Sequence, residues 1–138
     1  MKVYGTNEIK NIALIGSKGS GKTTLAEAML FECGVIKRRG TIDSGNTVCD
    51  YFPVEKEYGY SVFSTVCYAE FLNKKLNVID CPGGDDFVGS AITALNVTDT
   101  GVLLIDAQYG VEVGSQNIFR VTEKIKKPVI FAVNQLDG

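Results

Sequence analysis

The stretch Gly16-Ser17-Lys18-Gly19-Ser20-Gly21-Lys22-Thr23 constrains this chain more than any other. It satisfies the spacing G-x-x-x-x-G-K-[ST] at every required position, which is the signature of a phosphate-binding loop. Three glycines let the backbone turn tightly and bring several N–H groups to one anion. Asn11-Ile12-Ala13-Leu14-Ile15 precedes it and reads as a buried strand within residues 9–15. A helix over about residues 23–33 follows it, with Gly34 placed to end that helix and Leu25, Ala28, Met29 and Cys33 as its apolar face. Its N-terminus, with free N–H groups and partial positive charge, points at the same anion. In such a loop Lys22 reaches the β- and γ-phosphates and the Thr23 hydroxyl ligates Mg²⁺. A glycine-rich turn that merely precedes a helix is the rival reading, and the register of strand, loop, Lys-Thr and helix argues against it.

The 138 residues suffice for one domain with a core, and 45% apolar with 22% charged is ordinary for a soluble globular chain. A net charge of −2 leaves no electrostatic footprint for nucleic acid or a membrane surface. No apolar run approaches the roughly 18 residues of a membrane span, and the start lacks the core of a signal peptide. Cys33, Cys49, Cys67 and Cys81 form no C-x-x-C pair, which reads as a reduced cytosolic chain without zinc. Histidine is absent, so no step can use a histidine base of this chain.

Residues 35–59 break the pattern: Lys37-Arg38-Arg39-Gly40, Asp43-Ser44-Gly45-Asn46 and Phe52-Pro53 are polar and turn-rich. So long a connection is expected to be a mobile loop near the nucleotide, with a solvated insertion of no role as the alternative. Residues 60–71 are rich in β-formers, Asn73-Lys74-Lys75 reads as a tight turn, and residues 76–80 as the next strand, making an antiparallel hairpin. Asp85 or Asp86 is placed to cap a helix carrying Val88, Ala91, Ile92 and Leu95. Val102-Leu103-Leu104-Ile105-Asp106 reads as a buried strand, Ser115 as the cap of a helix carrying Ile118, Val121, Thr122 and Ile125, and Val129-Ile130-Phe131-Ala132-Val133 as a further buried strand. The order predicts a three-layer α/β sandwich, a mostly parallel sheet with one antiparallel hairpin strand and helices on both faces. Ligands bind such sheets at the carboxyl ends of the strands, where the glycine loop, Asp80, Asp106 and Asn134 fall.

Two further motifs sit at those ends. Asp80-Cys81-Pro82-Gly83 matches D-x-x-G: the aspartate can hold a Mg²⁺ water, and the Gly83 N–H can bond a γ-phosphate. Asn134-Gln135-Leu136-Asp137 is close to N-K-x-D, and a carboxylate at Asp137 can accept from N1–H and the exocyclic N–H of guanine. Adenine offers neither donor and would leave that buried carboxylate unpaired, a large discrimination.

These motifs, in this order, resemble the translational GTPases of the elongation factor G type. The likeness runs over essentially the whole chain and is most specific in Gly21-Lys22-Thr23-Thr24, Asp50 through Val62, Asp80 through Phe87, and Ala132 through Asp137. The resemblance implies a GTP-binding domain of a P-loop, small G-protein-like fold, with GTP or GDP and Mg²⁺ as cofactors and the ribosome as partner of the full-length protein. It further implies a cytoplasmic monomer with no membrane and no sequence-specific nucleic-acid contact by this segment. Carried onto matching positions, the nucleotide is held by Gly16, Ser17, Lys18, Gly19, Ser20, Gly21, Lys22, Thr23, Thr24, Asp80, Gly83, Asn134, Gln135 and Asp137. The metal is held by Thr23, Ser61 and Asp80, and Lys22 and Gly83 act on the transferring phosphate. Ending at Gly138, just after the base motif, the chain is expected to be a truncated domain of weak nucleotide affinity.

Four positions depart from the pattern. Gly84 stands where the family carries a water-positioning histidine, so hydrolysis is expected to be slow. R-G-I-T-I becomes Tyr58-Gly59-Tyr60-Ser61-Val62, keeping a hydroxyl at Ser61 and losing the arginine. Gly19 replaces an aspartate, and Gln135 replaces a lysine whose stem covers the base and reaches the glycine loop. Two alternatives share the phosphate loop: a binding-and-release switch without significant hydrolysis, and an ATP-dependent kinase, which has no need of Asn134 or Asp137.

Overall fold

The computed structural model describes residues 2–137. Five strands form one sheet: β1 (Ile9–Gly16), β2 (Thr65–Phe71), β3 (Lys74–Asp80), β4 (Thr100–Asp106) and β5 (Val129–Asn134), in the order β2-β3-β1-β4-β5. The β2–β3 pair is antiparallel and the other three are parallel, as the alternation of strands and helices predicts. Register aligns the strand ends: Leu14 faces Asp80, Gly16 faces Leu104 and Asp106 faces Asn134. Loops that leave those ends therefore share one rim of the sheet.

Alternation along β1 and β4 supplies both cores, because successive side chains point to opposite faces. Ala13, Ile15 and Leu103 pack with Ala91, Ala94 and Leu95 of α3 (Val88–Val97) and Ile118 of α4 (Val113–Lys124). Leu14, Leu104 and Val78 pack on the other face with Ala26 and Leu30 of α1 (Lys22–Glu32) and with Cys49 and Cys67. Each fully buried leucine or isoleucine here contributes about 1.5–3 kcal/mol. All four cysteines are free thiols, three of them buried in packing positions.

Several expectations need correction. The deepest face of α1 is Ala26, Glu27 and Leu30; Leu25, Met29 and Cys33 only flank it. Residues 35–59 are not without structure: Pro53–Tyr58 forms a short helix, α2, with Pro53 at its start and Gly59 (φ 67°) ending it. Two buried carboxylates organise this segment by accepting backbone N–H groups. Glu27 takes Gly40 N at 2.7 Å and Val48 N, while Glu55 takes Phe52 N at 3.2 Å and Val62 N and Phe63 N at 3.0 Å each. The strand expected from Tyr60 begins only at Thr65, because residues 60–64 are engaged with α2 and the cleft instead. The hairpin turn is Leu72-Asn73, both left-handed (φ 46° and 61°), not Asn73-Lys74-Lys75. Two consecutive positive-φ residues give the turn whose twist matches the strands.

Among the described residues no side chain caps α3 or α4. Asp85 and Asp86 lie inside a 3-10 turn (Asp85–Phe87) before α3, and Ser115 lies within α4, where its hydroxyl meets that of Ser17 at 2.9 Å. Finally, β5, expected to be buried, stands at the end of the strand order among the described residues, with Ile130, Phe131 and Val133 more than half exposed there.

Candidate nucleotide-binding site

β1 ends in the glycine loop and α1 begins at its far side. Gly21 sits at φ 93°, a left-handed conformation that suits glycine, and no side chain caps the helix there. The first N–H groups of α1 are thus left for an external acceptor. Lys22 is buried and donates to Gly16 O at 3.0 Å and Ser17 O at 2.8 Å. An ammonium has three protons, so one remains for a ligand. Burial lowers the Lys22 pKa, with the carboxylate of Asp80 the main opposing influence.

A cleft of about 510 Å³ opens over the loop, lined by Lys18, Gly19, Gly21, Lys22, Thr23 and Thr24. Ser61, Gly83 and Gly84 close one end, and Asn134, Gln135 and Asp137 the other. Gly16, Ser17, Ser20 and Asp80 lie behind this wall. Gly16 and Ser17 serve Lys22 through their carbonyls, and the Ser17 hydroxyl is turned away to Ser115. Ser20 offers its carbonyl to Asn134 Nδ2 at 3.0 Å, and its own buried hydroxyl has no partner among the described residues.

Three residues expected at the metal come together from three distant segments. Thr23 Oγ1 donates to Asp80 Oδ2 at 2.7 Å and stands 3.1 Å from Ser61 Oγ. Asp80 is 1% exposed, and its Oδ1 has no partner among the described residues. Burial first, with the like charge of Asp50 reinforcing it, raises its pKa from 3.8 to about 6 against Thr23 and Lys22. Asp50 is the residue that sequence reasoning left without a role. It is buried, both its carboxylate oxygens lack a hydrogen-bond partner among the described residues, and burial raises its pKa too, opposed by the Ser61 hydroxyl beside it. Its only signal was its place at the head of the family-like stretch from Asp50 to Val62. Two buried carboxylates with orphaned oxygens beside two hydroxyls form an all-oxygen, net-negative donor set, which fits a hard divalent cation.

At the other end Gln135, itself left-handed at φ 61°, donates from Nε2 to Gly19 O at 2.6 Å. Glutamine thus makes the contact to the glycine loop that the lysine of the pattern makes, without the lysine's charge. Asp137 is exposed, so discrimination against adenine by a buried unpaired carboxylate requires the base itself to cover it. Asp106 is spent on a turn, accepting from Gln108 N at 2.8 Å. Arg39, Ile42 and Tyr60 also line the cleft, brought there by the segment that looked structureless. Among the described residues no helix is long and apolar enough to cross a membrane.

Comparison with known proteins agrees with this geometry. The chain is 37% identical over 131 residues to the mitochondrial ribosome-releasing factor 2 of Candida dubliniensis, covering 95% of this chain and 16% of that protein. It is 35% identical over 130 residues to the tetracycline resistance protein TetS of Listeria monocytogenes, covering 94% and 20%. Its fold superimposes on a crystal structure of a Thermus thermophilus protein with a TM-score of 0.91 at 37% identity, over 94% of this chain and 20% of that one. The chain spans only 15% to 20% of the length of the curated relatives it matches. Residues 7–138 match the family model described as the elongation factor Tu GTP binding domain, and the chain belongs to that family.

Proposed function

We propose that residues 1–138 form the guanine-nucleotide-binding domain of an elongation factor G-like translation factor that works on the ribosome and hydrolyses GTP slowly. The observation that carries this reading is the convergence of three motifs, far apart in the chain, on one cleft. Phosphates would be held by the N–H groups of residues 18–23 and by the remaining proton of Lys22. Gly83 would offer its N–H to the γ-phosphate: a Cβ there would meet Lys18 N and Ser17 C at 2.8 Å, so the loop backbones approach as only glycine allows. Asn134 and Gln135 brace the glycine loop, and Asp137 would read the guanine edge. Thr23 and Ser61 would hold Mg²⁺, with Asp80 and Asp50 behind them. The metal supplies positive charge to oxygens that become more negative as the γ-phosphate leaves. The attacking water has no side chain at Gly84 to orient it, which is the support for slow turnover.

The test is a titration of full-length protein with fluorescent GDP and GTP, with and without Mg²⁺, against excess ATP. Guanine nucleotides should displace the probe and ATP should not, with Mg²⁺ tightening GTP. Displacement by ATP as strong as by GTP would overturn the guanine reading and favour the kinase.

A further inference from the structure

The side chain of Lys18 crosses from the glycine loop to the segment that carries Ser61. Its Nζ lies 3.6 Å from the centroid of the Tyr60 ring. Both residues line the cleft, at the end occupied by Gly83 and Gly84, opposite to Asn134 and Asp137. Tyr60 is held on both sides. Before it, Gly59 ends α2 with its N–H on Glu55 O at 2.8 Å. After it, Ser61 meets Thr23 at 3.1 Å, and Glu55 takes the N–H groups of Val62 and Phe63.

Lys18 itself is exposed, and a free lysine in water is not ordered by one ring alone. An exposed cation–π contact of this kind does not outweigh the entropy lost in holding a lysine side chain. An anion on the other side of the ammonium changes that balance, because a charge-assisted contact is roughly twice as strong as a neutral one. With a base at Asn134 and Asp137 and a metal at Thr23, the terminal phosphate of a nucleoside triphosphate would be the part that reaches Gly83 and Lys18, and a diphosphate would stop short of it.

We propose that Lys18, seated on Tyr60, is the specificity-determining residue that distinguishes a nucleoside triphosphate from a diphosphate. Its ammonium binds the terminal phosphate on one side and the Tyr60 ring on the other. The third phosphate thereby fastens residues 59–63, and Ser61 with them, to the glycine loop. Without that phosphate the ring alone holds Lys18, and the fastening is weaker. The inference rests on the guanine-nucleotide reading above and gives it a structural switch.

Binding of fluorescent GDP and of a non-hydrolysable GTP analogue to full-length protein with Mg²⁺ tests it. Lys18→Met should weaken the triphosphate analogue about tenfold and GDP only about twofold. Tyr60→Leu should shift the ratio the same way by about threefold, while Lys18→Arg and Tyr60→Phe, which keep the charge and the ring face, should restore the wild-type ratio. Equal losses for both nucleotides in Lys18→Met, or no difference between Tyr60→Leu and Tyr60→Phe, would overturn the proposal and leave the guanine reading standing. Wild-type protein that binds neither nucleotide would overturn both.

Discussion

Glu55 should be the residue on which the order of the segment before β2 depends. Its carboxylate is 1% exposed and accepts three backbone N–H groups: Val62 and Phe63 on Oε1, Phe52 on Oε2. Hydrogen bonds to a charged group contribute about 1.5–3 kcal/mol each, and an orphaned donor costs about 1–3 kcal/mol. Phe63 is 48% exposed, so water can reach part of the vacated site. Glu55→Ala should therefore cost about 3–4 kcal/mol locally, less than the three bonds taken separately. Glu55→Gln keeps one carbonyl oxygen for Val62 and Phe63 and turns an amide toward Phe52 N, so it should cost only about 1–2 kcal/mol. The loss should appear as local opening before global unfolding. Amide hydrogen exchange at Val62 and Phe63 measures it: protection should fall about tenfold in the glutamine variant and roughly a hundredfold or more in the alanine variant. Equal protection in the two variants, or wild-type protection in Glu55→Ala, would refute the account of how this segment is held.

Other expectations concern the cleft. Gly84 is extended (φ −73°), and a Cβ there would meet only Phe87 Cδ2 at 3.1 Å and Cε2 at 3.5 Å, so a side chain can be accepted. Gly84→His should raise GTP turnover on ribosomes at least about tenfold with little change in Kd; unchanged turnover would contradict the proposal that Gly84 makes hydrolysis slow. Gly83→Ala should weaken guanine nucleotides at least about tenfold, because backbone atoms of Ser17 and Lys18 cannot yield as a flexible side chain does. A Kd within about twofold of wild type would dispose of that argument. In protein free of nucleotide and metal, Asp80 titrates near 6 when folded against 3.8 ordinarily. Its contribution to stability is full below about pH 4 and disappears as pH rises through 6, a loss of about 3 kcal/mol by neutrality. Denaturant midpoints measured in EDTA should fall over that window, and Mg²⁺ with GDP should flatten the slope. Midpoints that climb from pH 4 to 7 would show that Asp80 is not buried as described.

The phosphate loop was legible because its determinants are contiguous. Glycine placement, the Lys-Thr pair and the flanking strand and helix lie within residues 9–33, and each acts through its own backbone. The strand–helix alternation and the hairpin were legible for the same reason, as local periodicity that short connections convert into neighbours. The helix starts were not, because Asp85, Asp86 and Ser115 are residue types that cap helices but are placed elsewhere by packing.

By itself, the sequence determined which segments bring polar groups to the cleft, since the glycine loop, Asp80 through Gly83 and Asn134 through Asp137 are short motifs whose geometry is local. Tertiary structure alone decided that Asp50 joins Asp80, Thr23 and Ser61, that Glu27 and Glu55 order the long segment, and that Lys18 meets Tyr60. Each of those contacts joins residues far apart in the chain, and a buried carboxylate or an exposed lysine carries no local pattern that names its partner.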